Sequence, residues 1–342
     1  MRVATLLPQA IDDVSALPAA LEDLGYDRLW IGESAHDAFL QALGVSTATE
    51  TVSIGTAVTI AFARTPMTVA MAAYDLARYS SGRFHLGLGS QVRAHIERRF
   101  SMPWSHPVDR LREFIAALKA IWTTWQDGTP LRFSGRFYNH TLMTDFFTPE
   151  RHQWGPPPIY LAGVGPRMLR LAGAAADGLI VHPLHGQRFL EDVVLVELRR
   201  GVDEAARTTM PEVWASVLLA TGRSSDDIAV AVEKVRRQIA FYASTPAYLP
   251  VLRHYDAEHL HAQLHDLSRN AQWDKMCELI PDSLLEQLTV IGTPADVGPE
   301  IARRYQTTVT GVTLQLPDPR DLAMHGAVLA SVRGAIDHNA PN

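Results

Sequence analysis

Short runs of β-type residues alternate with longer segments that carry apolar residues at helical spacing, and this alternation constrains the fold most. Strands that are separated by helices form right-handed β-α-β units and therefore a parallel sheet. About eight such units favour a closed (β/α)8 barrel, the TIM barrel, over an open doubly wound sheet. The β-type runs cover residues 3–7, 28–31, 52–60, 83–88, 159–162, 179–181, 213–220 and 312–316.

The helical segments between these runs carry start and stop signals. Gly25 stands where a glycine commonly ends a helix, after residues 18–24. Thr65 and Pro66 are typical of an N-cap and a first helical position, and predict a helix that ends near Ser80. Apolar residues at helical spacing predict a further helix over residues 109–125. The remaining predicted helices cover residues 166–175 and 294–305.

The length of 342 residues suits one barrel domain with insertions, since such barrels need roughly 250 residues. We expect a single domain over residues 1–342. Two stretches interrupt the alternation: residues 128–158 are rich in aromatic residues and proline, and residues 244–285 have a helical, histidine-rich pattern. Loops of this length often cover functional sites.

Composition excludes several classes of protein. The net charge of −6 argues against a nucleic-acid partner, which usually meets a basic excess. The one cysteine, Cys277, can form no disulfide within the chain and no cysteine cluster for zinc. The first residues do not match a signal peptide, and no apolar run is long enough to span a bilayer. We therefore expect a soluble, cytoplasmic protein without a membrane partner.

The segment LWIGESAHDAFL, residues 29–40, places four polar groups directly after the second predicted strand: Glu33, Ser34, His36 and Asp37. Active sites of these barrels lie at the C-terminal ends of the strands, so this position favours a functional role. The alternative for Glu33 and Asp37 is a helix cap or a solvated loop charge.

The loop from Gly163 to Pro166 joins the fifth predicted strand to a helix. Its glycines allow backbone N–H groups and the helix N-terminus to approach a phosphate, and Arg167 adds a positive charge. A tight turn that binds nothing is the other interpretation, and the residues alone leave both open. The chain contains no G-x-G-x-x-G, Walker A or G-x-S-x-G motif, which argues against dinucleotide-fold, P-loop and α/β-hydrolase enzymes.

Three histidines follow predicted strands, namely His36, His182 and His185, and could in principle meet with Glu33 or Asp37 at a metal. Their spacing matches no known metal motif. We therefore expect no metal, and assign these histidines to acid–base chemistry or contact with a cofactor.

Five segments in this order resemble the luciferase-like monooxygenase superfamily, in the branch that uses the deazaflavin coenzyme F-420. The resemblance extends from the first strand to Leu316. The segments are GYDRLWIGES, TVSIGTAVTIAFARTP, SGRFHLGLGS, PPPIYLAGVGP with AGAAADGLIVHPL after it, and VIGTPADVGPEIARRY.

The resemblance implies a TIM barrel that holds a flavin-like ring at its C-terminal mouth. A non-prolyl cis peptide bond between Ala57 and Val58 would support the ring. Backbone N–H groups of the fifth-strand loop would bind the cofactor phosphate. The implied cofactor contacts are Ala57, Val58, Gly89, Ser90, Gln91, Gly163, Val164 and Gly165.

The acid position of the family matches Glu33, but Ser34 stands where relatives often carry a histidine, and His36 follows two residues later. We predict His36 as the acid–base group, Glu33 near the ring and His182 as a second candidate. The implied activity is hydride transfer between coenzyme F-420 and a small organic substrate, which the aromatic insertion suggests is apolar. The alternatives are an FMN-dependent monooxygenase with oxygen and a partner reductase, and a non-catalytic flavin- or ligand-binding barrel. The resemblance also implies a homodimer.

Overall fold

A computed structural model describes residues 1–11 and 14–338. It contains eight parallel barrel strands, one of them interrupted, together with a short extra strand and a hairpin. The strands are β1 Arg2–Leu7, β2 Arg28–Ile31, β3 Ser53–Thr56, β4 Thr59–Ile60, β5 Phe84–Gly89, β6 Phe133–Ser134, β7 Asn139–His140, β8 Ile159–Gly163, β9 Gly178–Val181, β10 Glu212–Thr221, β11 Thr289–Gly292 and β12 Gly311–Gln315.

The barrel closes through parallel pairs in the order β1, β2, β3, β5, β8, β9, β10 and β12, and β12 pairs back with β1. At this closing seam Arg2 lies opposite Gly311. The predicted (β/α)8 barrel is therefore confirmed. The third predicted strand, residues 52–60, is wrong as one unit, because it divides into β3 and β4 around Ala57 and Val58.

Helices lie between the strands. They are α1 Ala16–Asp23, α2 Ala38–Ala48, α3 Pro66–Tyr79, α4 Arg93–Arg98, α5 Pro107–Asp127, α6 Pro166–Ala175, α7 Gln187–Phe189, α8 Leu195–Glu204, α9 Ser225–Ala243, α10 Leu249–His254, α11 Leu260–Arg269, α12 Trp273–Glu278, α13 Asp282–Leu288, α14 Pro294–Tyr305 and α15 Leu322–His338. Within the described chain, none of these helices has both the length and the apolar character that crossing a bilayer requires.

The predicted start and stop signals act as expected. Gly25 follows α1 with a φ of 93°. Thr65 caps α3, since its hydroxyl accepts a hydrogen bond from the N–H of Thr68 at 3.2 Å. The first stretch that interrupts the alternation, residues 128–158, contains the antiparallel hairpin of β6 and β7. The second, residues 244–285, contains α10, α11, α12 and part of α13.

The N-terminal half of the barrel interior is filled by aromatic rings around one buried cation. The Arg28 guanidinium carbon lies 4.4 Å from the centre of the Trp214 ring and 4.9 Å from that of Trp30. His85 lies beside Arg28, 3.2 Å from Nε2 to the guanidinium, and burial with this cation lowers the His85 pKa to about 3. This end of the barrel is packed, so space for a ligand remains at the opposite end.

The backbones of helices α6 and α8 lie in direct contact at two glycines, Gly173 and Gly201. A Cβ on Gly173 would collide with the carbonyl oxygen of Leu198, and a Cβ on Gly201 would collide with that of Arg170. Helix α6 begins directly after the loop of Gly163–Gly165. The close packing of α6 on α8 therefore helps to hold this loop in place.

We expect Gly173→Ala to destabilise the protein by about 1–3 kcal/mol, because the added methyl group must separate two helices. Gly334→Ala in α15 is the matched control: nothing lies within 4 Å of the added Cβ. Alanine is the better helix former, so this control should gain about 0.5–1 kcal/mol. Urea unfolding of both variants measures the difference. Equal shifts in the free energy of unfolding would contradict the proposed close packing.

Candidate active site at the barrel mouth

The predicted site residues lie at or directly after the C-terminal ends of parallel barrel strands, so they belong to one end of the barrel. Glu33, Ser34 and His36 follow β2, Ala57 and Val58 interrupt the third strand, and the remaining residues lie at the ends of β5, β8 and β9. The loop after β2 contacts the segment after β4, and the end of β5 contacts the bulge, whereas His36 is exposed.

The peptide bond between Ala57 and Val58 is cis, as the resemblance implies. The Ala57 N–H donates to the carbonyl of Ile31 at 2.6 Å, which ties the interruption to β2. Both side chains are half-buried and pack against the aromatic cluster that contains Trp30. A Cβ on Gly89 would lie 2.6 Å from Cγ2 of Val58, so the exit of β5 lies directly against this bulge.

Arg64 binds the two carboxylates that follow β2. Its guanidinium forms a two-point ion pair with Glu33 and donates to Oδ2 of Asp37 at 2.6 Å. The Glu33 carboxylate also accepts the N–H of Ile60 at 2.6 Å, and its side chain is only 6% exposed. Glu33 therefore fastens the loop after β2 to the segment that follows the cis bond.

Asp37 occupies the N-cap of α2. Its Oδ1 accepts hydrogen bonds from the N–H groups of Phe39 at 2.8 Å and Leu40 at 3.4 Å. The cap interpretation of Asp37 is thus confirmed, and Arg64 adds an ion pair to it.

Gln9 organises the next part of the same loop. Its Oε1 accepts the N–H groups of Ser34 and Ala35, both at 3.0 Å, and the Ser34 hydroxyl. His36 is exposed, and no side chain or backbone group of the described chain forms a hydrogen bond with it. Ser34 is therefore anchored to the exit of β1, whereas His36 has no such anchor.

His182 lies between two tyrosine rings. The ring centres are 4.6 Å from Tyr242 and 4.3 Å from Tyr248. Its Nδ1 accepts the N–H of Leu184 at 3.1 Å, which leaves the ring proton on Nε2. Burial lowers the His182 pKa to about 3, so the imidazole is neutral at physiological pH. It can orient or donate to a ligand without carrying charge.

His185 is buried below His182 and its Nδ1 donates to the His182 carbonyl at 2.9 Å. Burial lowers the His185 pKa to about 4. In the described part of the chain, no three His, Cys, Asp or Glu side chains gather closely enough to hold a metal ion. The hydrogen bonds of these two histidines fix the conformation of the loop after β9.

The loop after β8 leaves a helix end open. Nothing lies within 4 Å of a Cβ built on Gly165, and no side chain caps α6. Pro166 occupies the first turn, where its missing N–H costs nothing. Arg167 is exposed nearby. The N–H groups of Met168 and Leu169 bond to the Gly165 carbonyl, and the open space and the positive helix end suit a phosphate at the preceding loop.

Two residues that organise the candidate site escaped the sequence analysis, Gln9 and Tyr242. Arg64 stands at the exit of the third predicted strand, but the sequence did not indicate its ion pairs. The rule that selects strand exits could have included Gln9, which comes two residues after β1. Tyr242 lies near the end of a long helix, and no local signal marks it.

Comparisons with known proteins agree with this geometry. A profile of the luciferase-like monooxygenase family matches residues 2–311. An uncharacterized protein of Mycobacterium tuberculosis is 42% identical over 307 residues, which cover 90% of each chain. A 5,10-methylenetetrahydromethanopterin reductase of Archaeoglobus fulgidus is 24% identical over 298 residues, 85% of each chain.

A solved structure has a similar fold. The coenzyme F-420-dependent tetrahydromethanopterin reductase of Methanopyrus kandleri superposes with a TM-score of 0.81 at 19% identity, over 98% of this chain and 99% of that one. The family profile covers most of the chain, and the chain therefore belongs to the luciferase-like monooxygenase family.

Proposed function

We propose that this protein is an oxidoreductase that transfers a hydride between coenzyme F-420 and a small organic substrate. One observation carries the proposal: the open N-terminus of α6 and the bulge at Ala57 and Val58 belong to the same barrel mouth. A phosphate-bearing flavin-like molecule needs both a charged anchor and a flat support for its ring. The name of the Methanopyrus kandleri reductase, which states its dependence on coenzyme F-420, supports the same cofactor class.

The residues of the mouth fit this group in distinct ways. The backbone N–H groups of Val164, Gly165 and Arg167 would bind the phosphate, and the bulge with Gly89 would support the ring. Ser90 and Gln91 border the ring position, and Gln91 adopts a φ of 60°. When bound, the coenzyme supplies or accepts the hydride, and the protein provides orientation and proton transfer.

A proton must accompany the hydride. In the direction of carbonyl reduction, the substrate carbon receives the hydride and its oxygen receives a proton. We propose His36 as the group that supplies this proton, with the Nε2–H of His182 as the second candidate. Glu33 would act as a positioning residue, because its carboxylate already binds Arg64 and Ile60.

FMN is the second candidate cofactor, since the phosphate of FMN would suit the same open helix end. It would imply a monooxygenase that consumes oxygen and depends on a reductase. Titration of the purified protein with oxidised F-420 and with FMN, followed by fluorescence, tests the proposal. We expect tighter binding of F-420. Binding of neither compound would overturn the proposal, and tighter binding of FMN with oxygen consumption would favour the alternative.

A single charged substitution tests the proposed phosphate site at Gly165. Gly165→Asp places a carboxylate at the N-cap of α6, where it satisfies the helix and repels a phosphate. Gly165 has a φ of −76° that any residue adopts, so the fold should remain intact. We expect F-420 affinity to fall at least about tenfold. Gly165→Asn is the control of equal size without charge and should retain most of the affinity. Equal affinities of the two variants would place the phosphate elsewhere.

The two histidine candidates differ in a way that kinetics can separate. His36→Ala should lower kcat with small carbonyl compounds and reduced F-420 by about 100-fold, as expected for loss of an acid–base group. His182→Asn should have a smaller effect. Because the His182 pKa is about 3, this residue stays neutral from pH 5 to 8 and cannot cause a change of rate in that range. Unchanged kcat in His36→Ala would exclude His36.

A further inference from the structure

A cavity of about 430 Å³ opens at the barrel mouth beside the β1 exit, and none of the proposed cofactor contacts lines it. It is lined by Leu6, Leu7, Pro8, Gln9, Ser34, Ala35, Leu219, Lys234, Val235, Gln238, Gln315, Leu316, Pro317 and Pro319. These residues come from β1, the β2 exit, β10, α9 and the end of β12, and none comes from the phosphate loop after β8. The volume lies within the range of small-molecule sites.

The cavity adjoins the proposed ring position. Leu6 lines the cavity and packs against the same aromatic cluster as Ala57 and Val58. Ser34, which also lines it, belongs to the loop after β2 that Glu33 fastens beside the bulge. A substrate in this cavity would therefore lie next to the coenzyme and would leave the phosphate anchor free.

Helix α9 presents one polar stripe to the mouth. Lys234, Gln238 and Tyr242 are spaced by four residues, so they lie on one face of the helix. The Gln238 amide donates to the Tyr242 hydroxyl at 2.9 Å and lies 3.3 Å from Oε1 of Gln315. Tyr242 in turn packs on His182. The stripe thus connects the cavity with the histidine after β9.

Lys234 is the one charged side chain among the residues that line the cavity in the described part of the chain. The opposite walls are leucine and proline side chains, and the other polar groups are three glutamine amides and one serine hydroxyl. An ammonium group beside an apolar wall raises the local concentration of anions, and amide N–H groups supply directional hydrogen bonds to them. The lining therefore suits an organic anion better than a wholly apolar compound.

We infer that the substrate is a small organic anion whose carboxylate or phosphate binds Lys234 at the rim of this cavity, with the Nε2–H groups of Gln315 as hydrogen-bond donors. This inference rests on the proposed function, and names the substrate class of that site. The apolar walls then hold the carbon part of the substrate towards Leu6 and the ring position. It differs from the expectation of an apolar substrate that the aromatic insertion suggests, and probes that differ only in charge separate the two.

The chain has three lysines, Lys119, Lys234 and Lys275, so NMR can follow the response of each one to a ligand. Reductive ¹³C-methylation keeps their charge and produces one NMR signal for each, and Lys234→Arg identifies the signal of Lys234 by its loss. Lys119 donates to a backbone carbonyl at 2.8 Å and Lys275 is exposed on α12, so both are internal controls.

The probes are matched pairs that differ in charge: 4-oxopentanoate against its methyl ester, and dihydroxyacetone phosphate against dihydroxyacetone. We expect at least one anion of a pair to shift the Lys234 signal and to bind at least about fivefold more tightly than its neutral partner. The Lys119 and Lys275 signals should stay in place. Lys234→Met should lose this preference, Lys234→Arg should keep it, and Lys275→Met should behave as the wild type.

Two outcomes would overturn the inference. Equal affinity for the anionic and neutral members of both pairs would remove the anion preference. A loss of F-420 affinity in Lys234→Met, without any effect on the anions, would assign Lys234 to the acidic tail of the coenzyme. Binding of F-420 to the wild type is measured in parallel, so failure of the proposed function is recognised separately from failure of this inference.

Discussion

The ion pair of Arg64 with two carboxylates is the interaction on which the mouth depends. Three segments meet there: the loop after β2, the N-cap of α2 and the chain that follows the cis bond. Glu33 is nearly buried, so loss of the guanidinium would leave its carboxylate without a cation in a poorly solvated place. A buried charge without its partner is strongly destabilising. The Arg64 pair therefore fixes where the bulge and the loop after β2 stand relative to each other.

Much of the fold follows from local signals. The bounds of α6 and α14 agree with the sequence expectation because proline at the first turn and the apolar period both act within the element. Strand β11 was missed, since it has four residues and pairs only with the last part of β10. The division of the third strand was not visible in its β-branched pattern either. Only the resemblance to a family implied the cis bond there.

The sequence predicted where the candidate site lies, but not the hydrogen bonds and ion pairs that hold its loops together. The strand-exit rule selected Glu33 and Asp37 correctly as residues of the mouth, but their partner Arg64 lies about thirty residues away along the chain. Gln9 binds the Ser34 loop over a separation of 25 residues. Periodicity describes one element at a time, whereas these contacts depend on how separate elements close into a barrel. Polar contacts between residues that are far apart along the chain are therefore the part of the candidate site that a single sequence does not predict.

The aromatic insertion and the mouth cavity favour different classes of substrate. Residues 128–158 are rich in aromatic side chains, yet Phe146 and Phe147 are 89% and 69% exposed, and no aromatic residue of the described chain lines the mouth cavity. Tyr138 packs against Phe114 of helix α5 instead. The chemistry of the cavity comes from α9, whose face carries a lysine and a glutamine one turn apart. The composition of an insertion does not show which of its side chains contact a ligand. The packing of the elements around the barrel mouth determines that.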